Sequence, residues 1–262
     1  MKSPIKYFGG KGTMANSIAV HFPVPSSYTT YVEPFGGGAT MLLSQPIGHV
    51  EIYNDIYENV YSLFKVLSDK TMFEEFKHKC DLALYSSQIK AELKLDLESK
   101  LTLVDRAFAF WYVNRTSYNG VGGMNIMKII RRGMSKSTSD FLSSVDRLKE
   151  IHDRLSAVIV LNEDSIRLIK KMDADNAFMY LDPPYHPSTR SSGDYVHDYT
   201  EQDHENLISA VLTLKGKVLL SGYDCQAYDR LLTKFTKVKF DVSMLDGNNA
   251  VKLKEETLWK NY

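Results

Sequence analysis

Little cysteine, no long apolar run and no net charge set the outer limits of this 262-residue chain. Its two cysteines, Cys80 and Cys225, lie far apart and form no CxxC pair, so a reduced, metal-free intracellular protein with ordinary thiols is expected. No apolar stretch approaches the ~20 residues that a bilayer-spanning helix needs. The opening Met1-Lys2-Ser3-Pro4-Ile5-Lys6 has no apolar signal core, which points to the cytoplasm. A GxGxxG fingerprint and an evident hydride-transfer histidine are both missing, which argues against a nicotinamide dehydrogenase. Internal repeats and low-complexity tracts are missing too.

The charge balance, 32 basic against 32 acidic side chains, argues at first against a polyanionic partner. The average hides a local asymmetry. Residues 106–139 carry six basic side chains (Arg106, Arg115, Lys128, Arg131, Arg132, Lys136) and no acidic one, which leaves the remainder at −6. A basic segment in a mildly acidic body suits a protein that meets a polyanion on one face, although a solvated positive loop has the same composition.

Apolar strand-like runs lie at 28–33, 50–54, 158–161, 178–181 and 218–221, with helical spacing between several of them. Val60, Phe64 and Leu67 form one such face; Leu207, Val211 and Leu214 form another. This alternation predicts an α/β fold with a doubly wound, mainly parallel sheet, and runs near 238–242 and 257–262 would finish it as a hairpin. Between about 71 and 155 the alternation fails. Met72, Phe76, Leu82 and Leu84 lead this mostly helical stretch, and the aromatic-rich segment 107–113 follows. A basic, glycine-bearing loop then spans 114–140, and Val145, Leu148, Ile151, His152 and Leu155 mark one closing helix. The expected organisation is a discontinuous domain, 1–70 and 156–262, divided by an inserted helical domain, 71–155.

Three constellations carry chemistry. After the first strand comes Glu33-Pro34-Phe35-Gly36-Gly37-Gly38-Ala39-Thr40, a glycine-rich turn feeding an apolar helix. Such a turn lets backbone approach a cofactor, or is merely a turn. Asp55 follows the second strand, where a nucleotide-binding fold places the acid that grips ribose hydroxyls. The second constellation, Asp182-Pro183-Pro184-Tyr185, follows an apolar strand and precedes a polar loop, 187–199, that contains Arg190 and Tyr195. Two prolines fix carbonyl directions. Asp182 and the Pro183 carbonyl can then accept the two hydrogens of an exocyclic amino group, and Tyr185 offers a flat face to an extruded base. The plainer reading is a rigid turn with a surface tyrosine. The third, Lys6-Tyr7-Phe8-Gly9-Gly10-Lys11, sets a lysine and an aromatic around a glycine pair; it closes over a carboxylate and an adenine ring, or is a flexible basic end.

Taken in order, these blocks resemble the Dam-type (α-class) DNA adenine-N6 methyltransferases over nearly the whole chain. KYFGGK at 6–11, EPFGGGAT at 33–40, YNDIYENVYSLFKVL at 53–67 and LDPPY at 181–185 carry the resemblance, and NRTSYNG at 114–120 is similar to the start of that family's DNA-recognition region. The resemblance implies a Rossmann-like methyltransferase fold, S-adenosylmethionine as methyl donor, a flipped adenine in double-stranded DNA as target, and a bacterial or phage setting. It implies that Tyr7, Lys11, Phe35, Gly36, Gly37, Gly38, Asp55 and Asp182 line the cofactor site. Asp182, Pro183, Pro184 and Tyr185 match the catalytic motif, and residues 71–155 the target-recognition domain. Tyr118 and Asn119 match residues that approach the gap left by the flipped base. Arg115 would belong to the same DNA-facing surface, to which the basic composition of the segment, not the resemblance, adds Lys128, Arg131 and Arg132.

Downstream of NRTSYNG the chain departs from the GATC-reading members. It has Val121-Gly122-Gly123-Met124 where those members carry a basic base-reading residue, and the hairpin at 125–134 has no counterpart. An Arg–guanine contact is worth ~1–3 kcal/mol of discrimination, so GATC is one candidate sequence among others, with Arg131 or Arg132 as alternative readers. A partner nuclease, which would make this half of a restriction-modification pair, is left open. Neither cysteine follows a proline as an attacking thiolate would, so direct transfer without a covalent intermediate is expected. The rival readings are the same chemistry on cytosine N4, RNA or a protein glutamine, and a DNA-binding regulator without catalysis.

Overall fold

A computed structural model describes residues 1–7, 9–99, 101–189, 197–245 and 251–262. In chain order they form helices α1 (Ala15–Ala19), α2 (Thr40–Ser44), α3 (Glu58–Ser68), α4 (Lys70–Leu82), α5 (Ser87–Asp96), α6 (Leu103–Thr116), α7 (Lys136–Asp146), α8 (Leu148–Leu155), α9 (Ser165–Lys171), α10 (Glu201–Val211) and α11 (Gln226–Leu231). The strands are β1 (Thr30–Glu33), β2 (Val50–Asn54), β3 (Ile130–Arg131), β4 (Met134–Ser135), β5 (Val158–Leu161), β6 (Ala177–Leu181), β7 (Lys217–Gly222), β8 (Thr236–Leu245) and β9 (Val251–Lys260). Among the described residues no helix is long and apolar enough to cross a membrane.

The chain divides into two compact units. The second, Thr13–Gly36, Gly48–Ile56 and Glu163–Tyr262, holds strands in the order β2-β1-β6-β7-β9-β8. β2, β1, β6 and β7 run parallel, while β9 enters antiparallel beside β7 and pairs with β8 along ten positions. The expected mainly parallel sheet and its closing hairpin are both present, in a Rossmann-like methyltransferase arrangement. β6 reads Ala-Phe-Met-Tyr-Leu and is buried at every position, as a central parallel strand covered on both faces must be. α10 begins with a capping box in which Thr200 and Asp203 satisfy each other's backbone N–H groups.

The first unit, Met1–Gly12, Gly37–Ile47 and Tyr57–Asn162, contains all of 71–155 together with the N-terminal segment and the helix after the glycine run. α6 is its central helix, with Ala107, Ala109, Trp111 and Tyr112 buried, and α3, α4 and α5 pack around it. Two expectations from sequence give way here. The buried face of α4 is Phe73, Phe76 and Cys80; Leu82 and Leu84 lie exposed because the helix ends at Leu82 and the spacing no longer follows its face. The single closing helix is two, α7 and α8, meeting at Arg147, and Val145, Leu148, Ile151, His152 and Leu155 are all buried as expected.

Candidate active site

The four parallel strands of the second unit end on one edge of the sheet. The chain leaves β1 toward β2 on one side, while β6 and β7 lie on the other. The order therefore reverses between β1 and β6, the place where open α/β sheets bind ligands. Three carboxylates sit at the ends of neighbouring strands: Asp55 directly after β2, Glu33 as the last residue of β1, and Asp182 directly after β6. Asp55 and Glu33 are buried and Asp182 is half-buried. They are not grouped closely enough to hold a metal ion. Glu33 was not singled out from sequence, although an acid closing a strand just before a proline was the available signal. The Tyr31 hydroxyl donates to it at 2.5 Å, and burial beside that charge keeps the phenol protonated, its pKa well above the ordinary value.

A second residue missed from sequence, Asn54, fixes the loops on this edge. Its buried amide donates to the carbonyls of Pro34 (2.9 Å) and Glu163 (3.0 Å), while its oxygen accepts from the Glu163 N–H (2.8 Å). Ser165 adds a second donor to the Pro34 carbonyl at 2.9 Å, and the Gly36 N–H reaches the Asn54 carbonyl at 2.8 Å. The turn after β1 is thus tied to β2 and to the start of α9 by satisfied hydrogen bonds, which makes it a rigid wall rather than a mobile loop. Phe35 is half-buried on this wall, with the Tyr199 ring edge-on at 5.6 Å.

Packing within the protein already requires glycine here. A Cβ on Gly36 would lie 2.1 Å from the Tyr53 ring. Gly37 has φ +46° and a Cβ there would lie 2.7 Å from the Tyr7 ring; Gly38 faces Ser3 and the Tyr7 Cβ. Gly36 and Gly37 thus receive tyrosine rings of their own units.

After β6, Pro183 is buried and Pro184 half-buried. Tyr185 is 7% exposed, so less of it is open than the flat face expected from sequence. Its hydroxyl is drawn inward by the Glu256 carboxylate, and its ring meets Tyr223 edge-on at 4.3 Å. Arg190, Tyr195 and Phe8 lie outside the described residues.

The first unit brings together Tyr7, Lys11, Gly37 and Gly38, and also the proposed DNA-facing residues. Lys11 is buried. Arg115 lies half-buried in the last turn of α6; desolvation and the neighbouring Arg147 lower its pKa to about 10, which leaves it charged at neutral pH. Tyr118 and Asn119 protrude on a short turn, Asn119 with left-handed backbone at φ 49°. Lys90 and Tyr85 brace this loop by donating to the carbonyls of Gly122 (2.9 Å) and Asn125 (2.5 Å). Lys128, Arg131 and Arg132 are exposed, and Ile126, Ile129 and Ile130 stand out beside them. β3 and β4 form the hairpin, turned by Arg132 and Gly133 with φ 53° and 74°. Asp140 lies one residue beyond the acid-free stretch. It pairs with Arg131 and Lys136, both at 2.6 Å, so the basic segment carries less free charge than its composition suggests.

The buried acids Glu33 and Asp55 at the strand ends of the second unit are a donor set that fits a hydroxyl-bearing cofactor. Comparison with known proteins agrees. Among curated proteins, the chain is 23% identical over 270 residues to the type II methyltransferase M1.LlaDCHI of Lactococcus lactis subsp. cremoris, covering 92% of this chain and 88% of that one. It is 25% identical over 288 residues to the type II methyltransferase M.MjaIII of Methanocaldococcus jannaschii, covering 100% and 99%. A DNA adenine methylase of Serratia marcescens is 22% identical over 239 residues, covering 85% and 83%. Residues 7–244 match the family model of D12 class N6 adenine-specific DNA methyltransferases, and the chain belongs to that family.

Proposed function

We propose that this adenine-specific DNA methyltransferase takes an adenine extruded from double-stranded DNA and methylates its N6 amino group directly from S-adenosylmethionine, with no covalent enzyme intermediate. The observation that carries the reading is Asp182-Pro183-Pro184-Tyr185 leaving β6 at the switch point, with the buried acids Glu33 and Asp55 at the two neighbouring strand ends. Asp55 would hold ribose hydroxyls, Lys11 the methionine carboxylate, and Tyr7, Phe35 and the run Gly36 to Gly38 the remaining walls. When bound, the cofactor supplies an already activated sulfonium methyl group. The adenine amine is a poor nucleophile because its lone pair is delocalised into the ring. Asp182 and the Pro183 carbonyl would accept hydrogen bonds from its two N–H groups, favour a pyramidal nitrogen and stabilise the positive charge that develops there, and the surplus proton of that nitrogen then leaves to water. Tyr185 stacks on the base, Tyr118 and Asn119 enter the gap it leaves, and Arg115, Lys128, Arg131 and Arg132 face the phosphates and groove.

In this reading residues 71–155 recognise the target, while 1–70 and 156–262 bind the cofactor and catalyse. A DNA substrate supports a cytoplasmic enzyme in a bacterial or phage setting. The test is transfer of a tritiated methyl group to defined duplexes, followed by mapping of modified adenines. Asp182→Ala should abolish transfer while leaving DNA affinity intact. Equal loss of both would make Asp182 structural, and label on cytosine or RNA would overturn the substrate.

A further inference from the structure

Glu256 is almost fully buried, 1% exposed, on β9. The Tyr185 hydroxyl donates to its carboxylate, 2.9 Å from Oε1 and 3.1 Å from Oε2, and the Ser221 hydroxyl donates to Oε1 at 2.7 Å. These residues come from neighbouring parts of one unit: Tyr185 just beyond β6, Ser221 on β7, and Glu256 one step past the last β7–β9 pair, Gly222 with Thr257. Tyr223, the residue after β7, presses edge-on against the Tyr185 ring.

Burying a carboxylate is costly, and apolar residues of similar size often fill such a place at least as well. A carboxylate here does what a leucine cannot: it grips a phenol. Tyr185 starts from a turn made rigid by two prolines, and its far end is fastened by hydrogen bonds, so both side-chain torsions are set. The same bonds commit the hydroxyl's proton to Glu256. What remains for a substrate is the ring.

We propose that Glu256, supported by Ser221, is a positioning residue that fixes the plane of the Tyr185 ring on which the target base stacks. This rests on the reading of Tyr185 as part of the catalytic motif. Glu256 touches neither base nor cofactor in this scheme, and its effect passes through one hydroxyl.

The test uses the full chain and a duplex in which the mapped target adenine is replaced by 2-aminopurine, whose fluorescence rises when the base leaves the stack. Tyr185→Phe and Glu256→Leu should each lower kcat roughly 10- to 100-fold, the loss expected when a reacting group is slightly misplaced, with KM for the cofactor unchanged. Glu256→Gln keeps an acceptor oxygen and should retain most of the activity. The 2-aminopurine signal should change in Tyr185→Phe and Glu256→Leu. Glu256→Leu added to Tyr185→Phe should cause no further loss, because both remove the same link. Additive losses, or a folded Glu256→Leu with normal kcat and signal, would overturn the proposal. If Glu256→Leu does not fold, Tyr185→Phe decides alone, and normal turnover in it refutes the tether. Asp182→Ala and Tyr185→Ala separate the two levels. If both keep full activity, the catalytic reading itself falls; if both are inactive while Tyr185→Phe and Glu256→Leu behave as wild type, only the positioning role does.

Discussion

The side chain of Asn114 and the backbone of Lys6 exchange two hydrogen bonds of 2.8 Å, Lys6 N–H to Asn114 Oδ1 and Asn114 Nδ2 to the Lys6 carbonyl, as neighbouring strand residues would. The Lys6 ammonium adds bonds to the carbonyls of Arg115 (3.2 Å) and Ser117 (2.8 Å). Gly120 completes the clasp: a Cβ there would lie 2.4 Å from the Lys6 carbonyl oxygen. The segment carrying Tyr7 and Lys11 is therefore fastened to the turn carrying Tyr118 and Asn119.

Breaking this clasp should disturb cofactor and DNA binding together. Asn114→Ala leaves two part-buried backbone groups without their partner, at ~1–3 kcal/mol for each group that water cannot reach, and should lower the melting temperature. Lys6→Met keeps the stem and removes only the ammonium. With a non-reactive cofactor analogue, its ratio of DNA affinities with and without analogue should move toward one. A ratio equal to that of the wild type would show that the clasp is structural only.

The same lysine gives a pH signature. Burial, followed by the nearby Arg115, lowers its pKa from 10.5 to about 8. Between those values the unfolded chain holds the proton that the folded chain has released, so Lys6 makes stability rise with pH from about 8 toward 10.5 and contributes no slope below that window. Denaturant midpoints measured from pH 7 upward should show this increment in the wild type and lack it in Lys6→Met.

Asp140 tempers the basic surface by holding Arg131 and Lys136. Asp140→Asn should release both cations, tighten non-specific DNA binding and steepen its salt dependence. Replacing Arg131 and Arg132 with alanine should flatten the dependence, by up to ~0.9 in slope for each phosphate no longer neutralised. A salt series of filter-binding or anisotropy titrations reads both. An unchanged slope in the double variant would place the DNA surface elsewhere.

Gly36→Ala should destabilise by overpacking, about 1–3 kcal/mol or more, because the added methyl would enter the Tyr53 ring. Adding Tyr53→Leu should recover part of that loss in urea midpoints. Strictly additive losses would locate the strain elsewhere.

The thiols should be dispensable for turnover. Cys80 and Cys225 are buried, and burial pushes both pKa values up, so neither offers a thiolate. Cys80→Ala and Cys225→Ala should keep kcat. A large fall in either would bring a covalent route back into question.

Strands were legible wherever the chain has a buried apolar run, as in β6, because a central parallel strand needs apolar residues on both faces. The closing hairpin and the helical stretch were legible for the same kind of reason. Leu82 and Leu84 misled because periodicity alone does not show where a helix stops. Asp140 was missed because a composition window ended one residue short of it. Asn54, Glu33 and Glu256 went unnoticed for a deeper reason. Their roles depend on partners brought together by the sheet, and Tyr185 and Glu256 stand 71 positions apart. The motif itself was readable, but the burial of its tyrosine was not, since that depends on a distant carboxylate. The glycine run was found, yet the tyrosine rings that demand it were visible only in three dimensions.

β9 is later in the chain than β8 but lies inside it, against β7. During synthesis the sheet's antiparallel half therefore cannot close in the order in which it emerges, and β8 must wait without its neighbour. The acid that fastens Tyr185 arrives with that delayed strand. A nascent chain, or one cut before residue 256, would carry every motif recognisable from the sequence and still lack the carboxylate to which the Tyr185 hydroxyl donates.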